Sequence, residues 1–132
     1  MTFKATKMGK PKSKTGLARL FSALRYSTQG IVACFRNEEA FRQEAVLFIV
    51  LLPVIVLIPV SGPVKLALFT VNCLVLIVEL LNSAVEAIVD KVAPEYDELG
   101  GRAKDMGSAA VLFSLIAAAA VWAYALYQAF FG

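Results

Sequence analysis

Hydrophobic residues in the chain fall into three long runs separated by short polar segments. The runs occupy residues 46–60, 66–89 and 106–131. As helices rising about 1.5 Å per residue, the second and third cross about 30 Å of hydrocarbon, and the first does so with its preceding residues. The pattern predicts an all-α membrane protein with three transmembrane helices, at about 45–60, 65–90 and 106–131.

A different pattern precedes the first run. Between residues 17 and 35, apolar residues recur at helical spacing, and the arginines of this segment lie off the apolar face. Such a helix is typical of the membrane interface, so a surface helix is predicted at about 16–38. The Lys-rich residues 1–15 are predicted to be a disordered tail near anionic headgroups, and residues 16–132 to form the membrane domain.

The connections are predicted from the polar residues between these elements. The polar residues 36–44 are predicted to run without a break into the first span, which contains Pro53 and Pro59. Residues 95–108 are predicted to form a loop before the third span. Because the first apolar run begins after residue 44, no signal peptide is expected.

Composition agrees with a membrane protein and indicates its orientation. The 132 residues are 59% hydrophobic, too apolar for an ordinary soluble domain and too few for two globular domains. Nine of the thirteen Lys and Arg residues lie in 1–42, and only Lys65 falls between the first two spans. The distribution of positive charge therefore predicts a cytoplasmic N-terminus, a cytoplasmic 90–105 loop and a C-terminus on the opposite side.

A polar stripe interrupts the second run. Glu79, Asn82, Ser83, Glu86 and Asp90 fall at roughly 0°, 300°, 40°, 340° and 20° around a helix that turns about 100° per residue. An acidic side chain at bilayer depth costs roughly 2.5 to 3.5 kcal/mol on insertion scales. We therefore predict a functional stripe open to the cytoplasm; a structural seam between subunits and a cation or proton channel are the alternatives.

The absence of histidine restricts the chemistry of a metal site. Carboxylates remain as ligands, and they favour a hard cation such as Mg²⁺, completed by water and substrate phosphates. Glu38 is a third carboxylate for the stripe or an exposed helical residue. Residues 100–105 (GGRAKD) are either a phosphate-binding segment or a glycine-terminated helix followed by an Asp cap. Cys34 and Cys73 are predicted to be unpaired.

Three motifs in order closely resemble the bacterial integral-membrane diacylglycerol kinases. They are NEEAFRQE at 37–44, ELLNSAVEAIVD at 79–90 and GRAKDMGSAAV at 101–111. The resemblance implies a multi-pass protein of the bacterial inner membrane with a periplasmic C-terminus, which phosphorylates diacylglycerol with MgATP to give phosphatidic acid. It also implies a homotrimer, whose subunit boundaries would enclose a stripe that one protomer cannot, and no nucleic-acid partner. A related branch of the same fold phosphorylates undecaprenol, which is the alternative substrate.

The resemblance also implies roles for single residues. Glu79 corresponds to the general base, and Glu38 and Glu86 correspond to the Mg²⁺ ligands. The residues implied to bind ATP are Arg19, Tyr26, Glu38, Glu86, Glu95, Tyr96, Asp97, Lys104 and Asp105. The residues implied to bind the lipid are Arg19, Ala23, Ser27, Ala40, Phe41, Arg42, Gln43, Glu44, Glu79 and Ser108. Asn82, Ser83 and Asp90 are implied to support the site. Asp97 stands where a histidine is common, and Thr28 and Gln29 stand where an aromatic and a basic residue are often seen.

Overall fold

The computed structural model describes residues 15–132, which form four α-helices joined by short connections. Their bounds are Leu17–Asn37 (α1), Glu39–Leu57 (α2), Gly62–Val92 (α3) and Glu98–Phe131 (α4). The last three are long and apolar enough to cross a membrane, which confirms the all-α fold with three candidate spans. The predicted tail at 1–15 lies, except for its last residue, outside the described residues.

The central helix of the protomer is α3, which packs against each of the other three helices. Its most extensive contact is with α4, and a small apolar core of Ile55, Ile58, Leu68 and Ala125 closes one end of the protomer. At this end the backbone N–H of Ser61 donates to Gln128 Oε1, which ties the α2–α3 turn to α4. The helix that carries the polar stripe is therefore held from several sides.

The surface helix, predicted at about 16–38, ends at Asn37, but the polar residues 36–44 do not run unbroken into the first span, because Glu38 is extended, with φ −118° and ψ 112°. The break is stabilised by Arg42, whose Nη1 donates to the carbonyl oxygens of Phe35 and Arg36 at 3.0 Å. These carbonyls would otherwise lack partners at the end of α1. The Glu38 N–H still donates to the Cys34 carbonyl at 2.8 Å, so Glu38 lies at a fixed corner between two helices.

Pro59 also lies outside the helix in which it was predicted. The first spanning helix contains Pro53 but ends at Leu57, two residues before Pro59. A proline disfavours helical geometry in the residue before it, and Ile58 is accordingly extended. The Lys65 ammonium donates to the Val56 carbonyl at 2.6 Å, so a carbonyl in the last turn of α2 is satisfied by a side chain.

The predicted loop at 95–108 is largely helical, because α4 begins at Glu98. Asp97 caps the helix by accepting a hydrogen bond from the Gly100 N–H at 2.8 Å. A cap contributes roughly 1 kcal/mol, which offsets part of the cost of two helical glycines. A Cβ on Gly100 would come within 2.9 Å of Val89 Cγ1, so this glycine serves close packing against α3.

Candidate active site

The polar stripe of α3 becomes more exposed toward the C-terminal end of that helix. Glu79 is only 7% exposed, Asn82, Ser83 and Glu86 are half-buried, and Asp90 is exposed. A single protomer therefore encloses Glu79, contrary to the expectation that three spans of one chain are too few. It leaves the rest of the stripe open, so an entering substrate would meet Asp90 and Glu86 before it reaches Glu79.

Glu79 has other carboxylates in its electrostatic environment. Those of Glu44, Glu86 and Glu38 lie close enough to interact electrostatically with it, and they come from α2, from α3 and from the corner between α1 and α2. Within residues 15–132, none of these four glutamates forms an ion pair with a lysine or arginine. The structure thus places other carboxylates near a buried carboxyl group without a basic partner, an arrangement that a bound cation or proton stabilises.

Asn82 connects the stripe to α4. Its Nδ2 donates to Glu86 Oε1 at 3.3 Å, which orients that carboxylate. Its Oδ1 is buried and has no hydrogen-bond partner in the described part of the chain. Gly107 on α4 lies directly opposite, and a Cβ at that position would overlap Asn82 Oδ1. The absence of a side chain at Gly107 is therefore what leaves room for Asn82.

Glu38 lines a cavity of about 300 Å³ between α1 and α3. Its lining includes Cys34, Asn37, Glu38 and Ser83. Ser83 Oγ accepts a hydrogen bond from Cys34 Sγ at 3.4 Å across this boundary. Of the stripe, Ser83 lines this cavity with Glu38, whereas Glu79 and Glu86 do not. Both cysteines are unpaired, as predicted.

The predicted nucleotide residues from the α3–α4 connection line a second cavity of about 300 Å³. This cavity lies between the end of α3 and the start of α4, and its polar lining residues are Asp90, Glu95, Tyr96, Asp97, Lys104 and Asp105. Gly100 and Gly101 form part of its wall, and a Cβ on Gly101 would come within 3.3 Å of the Tyr96 ring. The structure therefore assembles five of the predicted ATP residues around one space.

Lys104 is held in this second cavity by Asp90, and the sequence analysis missed this ion pair. Lys104 Nζ and Asp90 Oδ1 are 2.5 Å apart. Their hydrogen bond raises the pKa of Lys104, which lies ahead of the apolar run at 106–131, so the ammonium stays charged. The sequence did contain a signal for this pair, because Asp90 and Lys104 carry opposite charges and lie on the two sides of the short α3–α4 connection. The pair fixes a cation at the mouth of the stripe.

Of the predicted lipid-binding residues at 40–44, one interacts with Glu79 and the others pack within the protomer, bond to nearby residues or are exposed. Phe41 is buried, and Arg42 caps α1 as described above. Gln43 donates to Glu39 Oε1 at 3.5 Å, and Ala40 is exposed. Glu44 is half-buried and is the member of the group that interacts with Glu79.

The remaining predicted residues are not brought to either cavity within one protomer. Arg19, Ala23, Tyr26 and Ser27 lie exposed on α1, and Ser108 lies exposed on α4. An apolar groove of about 350 Å³ between α1, α2 and α3 was not predicted, and its lining includes Phe35, Phe41, Phe48, Ile49, Leu76 and Leu80. Phe35 and Phe41, which lie on either side of the break at Glu38, both line the groove.

Among residues 15–132, no group of three or more acidic or sulfur-containing side chains forms a ready metal cage. Glu38 and Glu86 offer one carboxylate each, from different elements. Mg²⁺ commonly takes one or two protein carboxylates and fills its other positions with water and phosphate oxygens. The donor set therefore fits Mg²⁺ held jointly with a phosphate ligand better than a cation held by protein alone.

Comparison with known proteins assigns the family. The prokaryotic diacylglycerol kinase family model matches residues 25–126, which include all three motifs. The diacylglycerol kinase of Escherichia coli strain K12 is 45% identical over 116 residues, covering 88% of this chain and 95% of that protein. The diacylglycerol kinase of Pseudomonas aeruginosa is 48% identical over 112 residues, covering 85% and 91%. That of Helicobacter pylori is 37% identical over 126 residues, covering 92% and 94%. The chain belongs to the prokaryotic diacylglycerol kinase family.

Proposed function

We propose that this protein is a diacylglycerol kinase, which transfers the γ-phosphoryl group of ATP to diacylglycerol and releases phosphatidic acid and ADP. The observation that carries the proposal is the buried Glu79, which interacts electrostatically with other carboxylates and lies on the same helical stripe as Asp90, the partner of Lys104. Phosphoryl transfer requires positioning and charge neutralisation more than covalent chemistry by the protein. The family membership and the names of the relatives support the same activity.

In the proposed reaction, Glu79 is the general base. It accepts the proton from the primary hydroxyl of diacylglycerol as the hydroxyl oxygen attacks the γ-phosphorus and the bond to the β-phosphate oxygen breaks. Its depth within α3 suits a substrate whose acyl chains remain in the bilayer and whose hydroxyl lies near the membrane surface. Glu44, which interacts with Glu79 from α2, is proposed to lie on the lipid side of the same site.

Glu38 and Glu86 are proposed to hold Mg²⁺ together with the phosphates of ATP. Both offer hard oxygen donors, and neither forms an ion pair within residues 15–132. The Asn82 hydrogen bond orients Glu86, and the backbone corner between α1 and α2 positions Glu38. A bound Mg²⁺ would neutralise charge on the β- and γ-phosphates.

The cavity between α3 and α4 is proposed to bind the nucleotide. Lys104 supplies a positive charge for phosphate, and Glu95, Tyr96, Asp97 and Asp105 provide the polar lining. Tyr96 is 91% exposed, so its ring is available for contact with the base of a nucleotide. Arg19 and Tyr26 are proposed to approach ATP from α1 of the assembled protein, and Ala23, Ser27 and Ser108 to contact lipid there.

Replacing Lys104 with alanine is expected to raise the KM for ATP about tenfold or more, because a hydrogen bond to a charged group contributes about 1.5 to 3 kcal/mol. Initial rates over a range of ATP concentrations measure this effect. Lys91→Ala is the matched control, since Lys91 is exposed at the end of α3 and outside the cavity. Equal ATP KM values in the two variants would exclude Lys104 from nucleotide binding.

We propose that the protein works as a homotrimer in the bacterial inner membrane, with the N-terminus and the α3–α4 connection in the cytoplasm and the C-terminus in the periplasm. The distribution of basic residues supports this orientation. The open side of the stripe at Glu86 and Asp90 supports an assembly that completes the site. The domain is proposed to span residues 16–132. Chemical cross-linking in bilayers should give trimers, and a protein that remains monomeric while active would contradict the proposal.

An assay of lipid phosphorylation tests the proposed activity. Purified protein in mixed micelles is incubated with Mg²⁺ and ATP labelled in its γ-phosphate, with and without diacylglycerol, and the lipids are separated. We expect label in phosphatidic acid only when diacylglycerol is present. Absence of labelled lipid would reject the kinase, and a Glu79-dependent cation flux through liposomes without phosphorylation would favour the channel.

A further inference from the structure

Cys34 is the residue through which α1 is buried against α3. It is 8% exposed, and it is the only buried residue of α1. Its Sγ donates to Ser83 Oγ at 3.4 Å, and Ser83 lies on the polar stripe between Glu79 and Glu86. The surface of α1 therefore meets the stripe at its centre.

The same residue also holds Glu38. The carbonyl oxygen of Cys34 accepts the N–H of Glu38 at 2.8 Å, and Glu38 is the extended residue where α1 ends. The Asn37 amide donates to the Ala33 carbonyl at 2.7 Å, and the Arg42 guanidinium closes the same turn from α2. A continuous series of contacts thus joins Ser83 to Cys34 and Cys34 to Glu38.

The cavity between α1 and α3 shows why this position matters. Cys34, Glu38 and Ser83 all line it, so a shift of α1 relative to α3 moves Glu38 with respect to the stripe. The other α1 side chains are exposed or half-buried, and the Arg42 hydrogen bonds hold the end of α1 to α2 rather than to α3. An S–H group is a weak donor, so burial of the small Cys34 side chain is the main part of this contact.

We propose that Cys34 is a positioning residue of the kinase, which docks α1 on Ser83 and so holds Glu38 at the polar stripe of α3. Cys34 itself touches no substrate. The inference rests on the proposed function, in which Glu38 and Glu86 hold Mg²⁺. It assigns to this chain a contact that determines the metal affinity of the site.

The first test compares three variants in the lipid kinase assay. The leucine side chain in Cys34→Leu is too large for close contact with Ser83. We therefore expect Glu38 to move away from the stripe and kcat/KM to fall about tenfold. The Mg²⁺ concentration for half-maximal rate should rise, whereas the KM for diacylglycerol should change little. Cys34→Ser keeps a small side chain with a hydrogen-bond donor and should retain the wild-type Mg²⁺ dependence. Cys73→Leu is the matched control, because Cys73 is a half-buried thiol about 120° around α3 from Glu79.

The outcome is decided by the Mg²⁺ dependence. A Cys34→Leu variant with the same Mg²⁺ dependence as wild type, or a Cys34→Ser variant as impaired as Cys34→Leu, would overturn the positioning role. Circular dichroism and gel filtration in detergent establish whether each variant is folded.

The second test needs neither ATP nor Mg²⁺. In a Cys73→Ala background, Ser83→Cys places a second thiol opposite Cys34, and mild oxidation should join the two within one protomer. Loss of maleimide labelling without a dimer band on a denaturing gel reports this bond. The oxidised protein should keep most of the activity of its reduced form, because the proposal requires α1 to stay on α3 during turnover.

Failure to form the bond, or loss of activity once it forms, would overturn the inference. Wild-type protein that phosphorylates no lipid would instead overturn the proposed function. The bond formation experiment is independent of that result and still reports whether α1 is held on α3.

Discussion

Replacing Glu79 with glutamine is expected to lower kcat for phosphatidic acid formation by about 10²- to 10⁴-fold, the usual range for loss of a general base. Glutamine has nearly the same shape but cannot accept the hydroxyl proton. Because Glu79 is buried and the proposed Mg²⁺ ligands are elsewhere, the KM for ATP and the Mg²⁺ dependence should change little. Steady-state kinetics in mixed micelles, with ATP, Mg²⁺ and diacylglycerol varied in turn, measure each quantity.

Glu98→Gln is the matched control for this variant. Glu98 is an exposed glutamate in the first turn of α4, and it does not line either polar cavity. It should leave kcat close to that of wild type. A Glu79→Gln enzyme with full kcat would remove Glu79 from the role of base, whereas a large rise in the KM for ATP alone would make it a binding residue.

Gly107→Ala is expected to reduce kcat about 10- to 100-fold, with a smaller effect on stability, because a misplaced site group can cost up to about 100-fold in rate. The added methyl group would overlap Asn82 Oδ1, so the Asn82 amide must rotate. Rotation breaks the hydrogen bond from Asn82 Nδ2 to Glu86 Oε1. Glu86 then loses the contact that orients it, and we expect the Mg²⁺ requirement to rise together with the fall in kcat.

Gly62→Ala is the matched control for Gly107→Ala, because it adds the same methyl group at a position where the structure has room for it. Gly62 is the first residue of α3, far from the stripe, and a Cβ there meets no atom within 4 Å. Its activity and thermal stability should match those of wild type. If Gly107→Ala retained wild-type kcat and Mg²⁺ dependence, the close approach of α4 to Asn82 would have no role in the reaction.

The helical parts of the fold and the stripe could be predicted from the sequence, because both depend on periodicity along one segment. Apolar runs of sufficient length predict spans, and residues at helical spacing share a face wherever the helix lies. For this reason the carboxylates of α3 were identified before the position of any other helix was known. The match to family motifs then predicted the activity.

The connections were predicted less well, because they depend on side-chain hydrogen bonds that compete with helical periodicity. Residues 36–44 have no Pro or Gly, yet α1 ends at Asn37 because Arg42 satisfies its last carbonyl groups. Gly100 and Gly101 suggested a loop, but Asp97 caps a helix that includes both. In each case a contact between residues three to seven positions apart determined where the helix begins or ends.

The contacts between helices could not be predicted from one chain segment at all. Cys34 and Ser83 are 49 positions apart, and Lys104 and Asp90 are 14 positions apart. Both pairs depend on how α1 and α4 pack against α3. The exposed α1 residues Arg19 and Tyr26 remain predictions for the same reason, since their roles depend on surfaces beyond one protomer.

The central claim is that this chain phosphorylates diacylglycerol, and competition between two lipid acceptors tests it most directly. Purified wild-type protein receives Mg²⁺, ATP labelled in its γ-phosphate and equimolar diacylglycerol and undecaprenol in the same micelles. The account predicts that most of the lipid label appears in phosphatidic acid and that Glu79→Gln removes it. Label found mainly in undecaprenyl phosphate, or in neither lipid, would contradict the account.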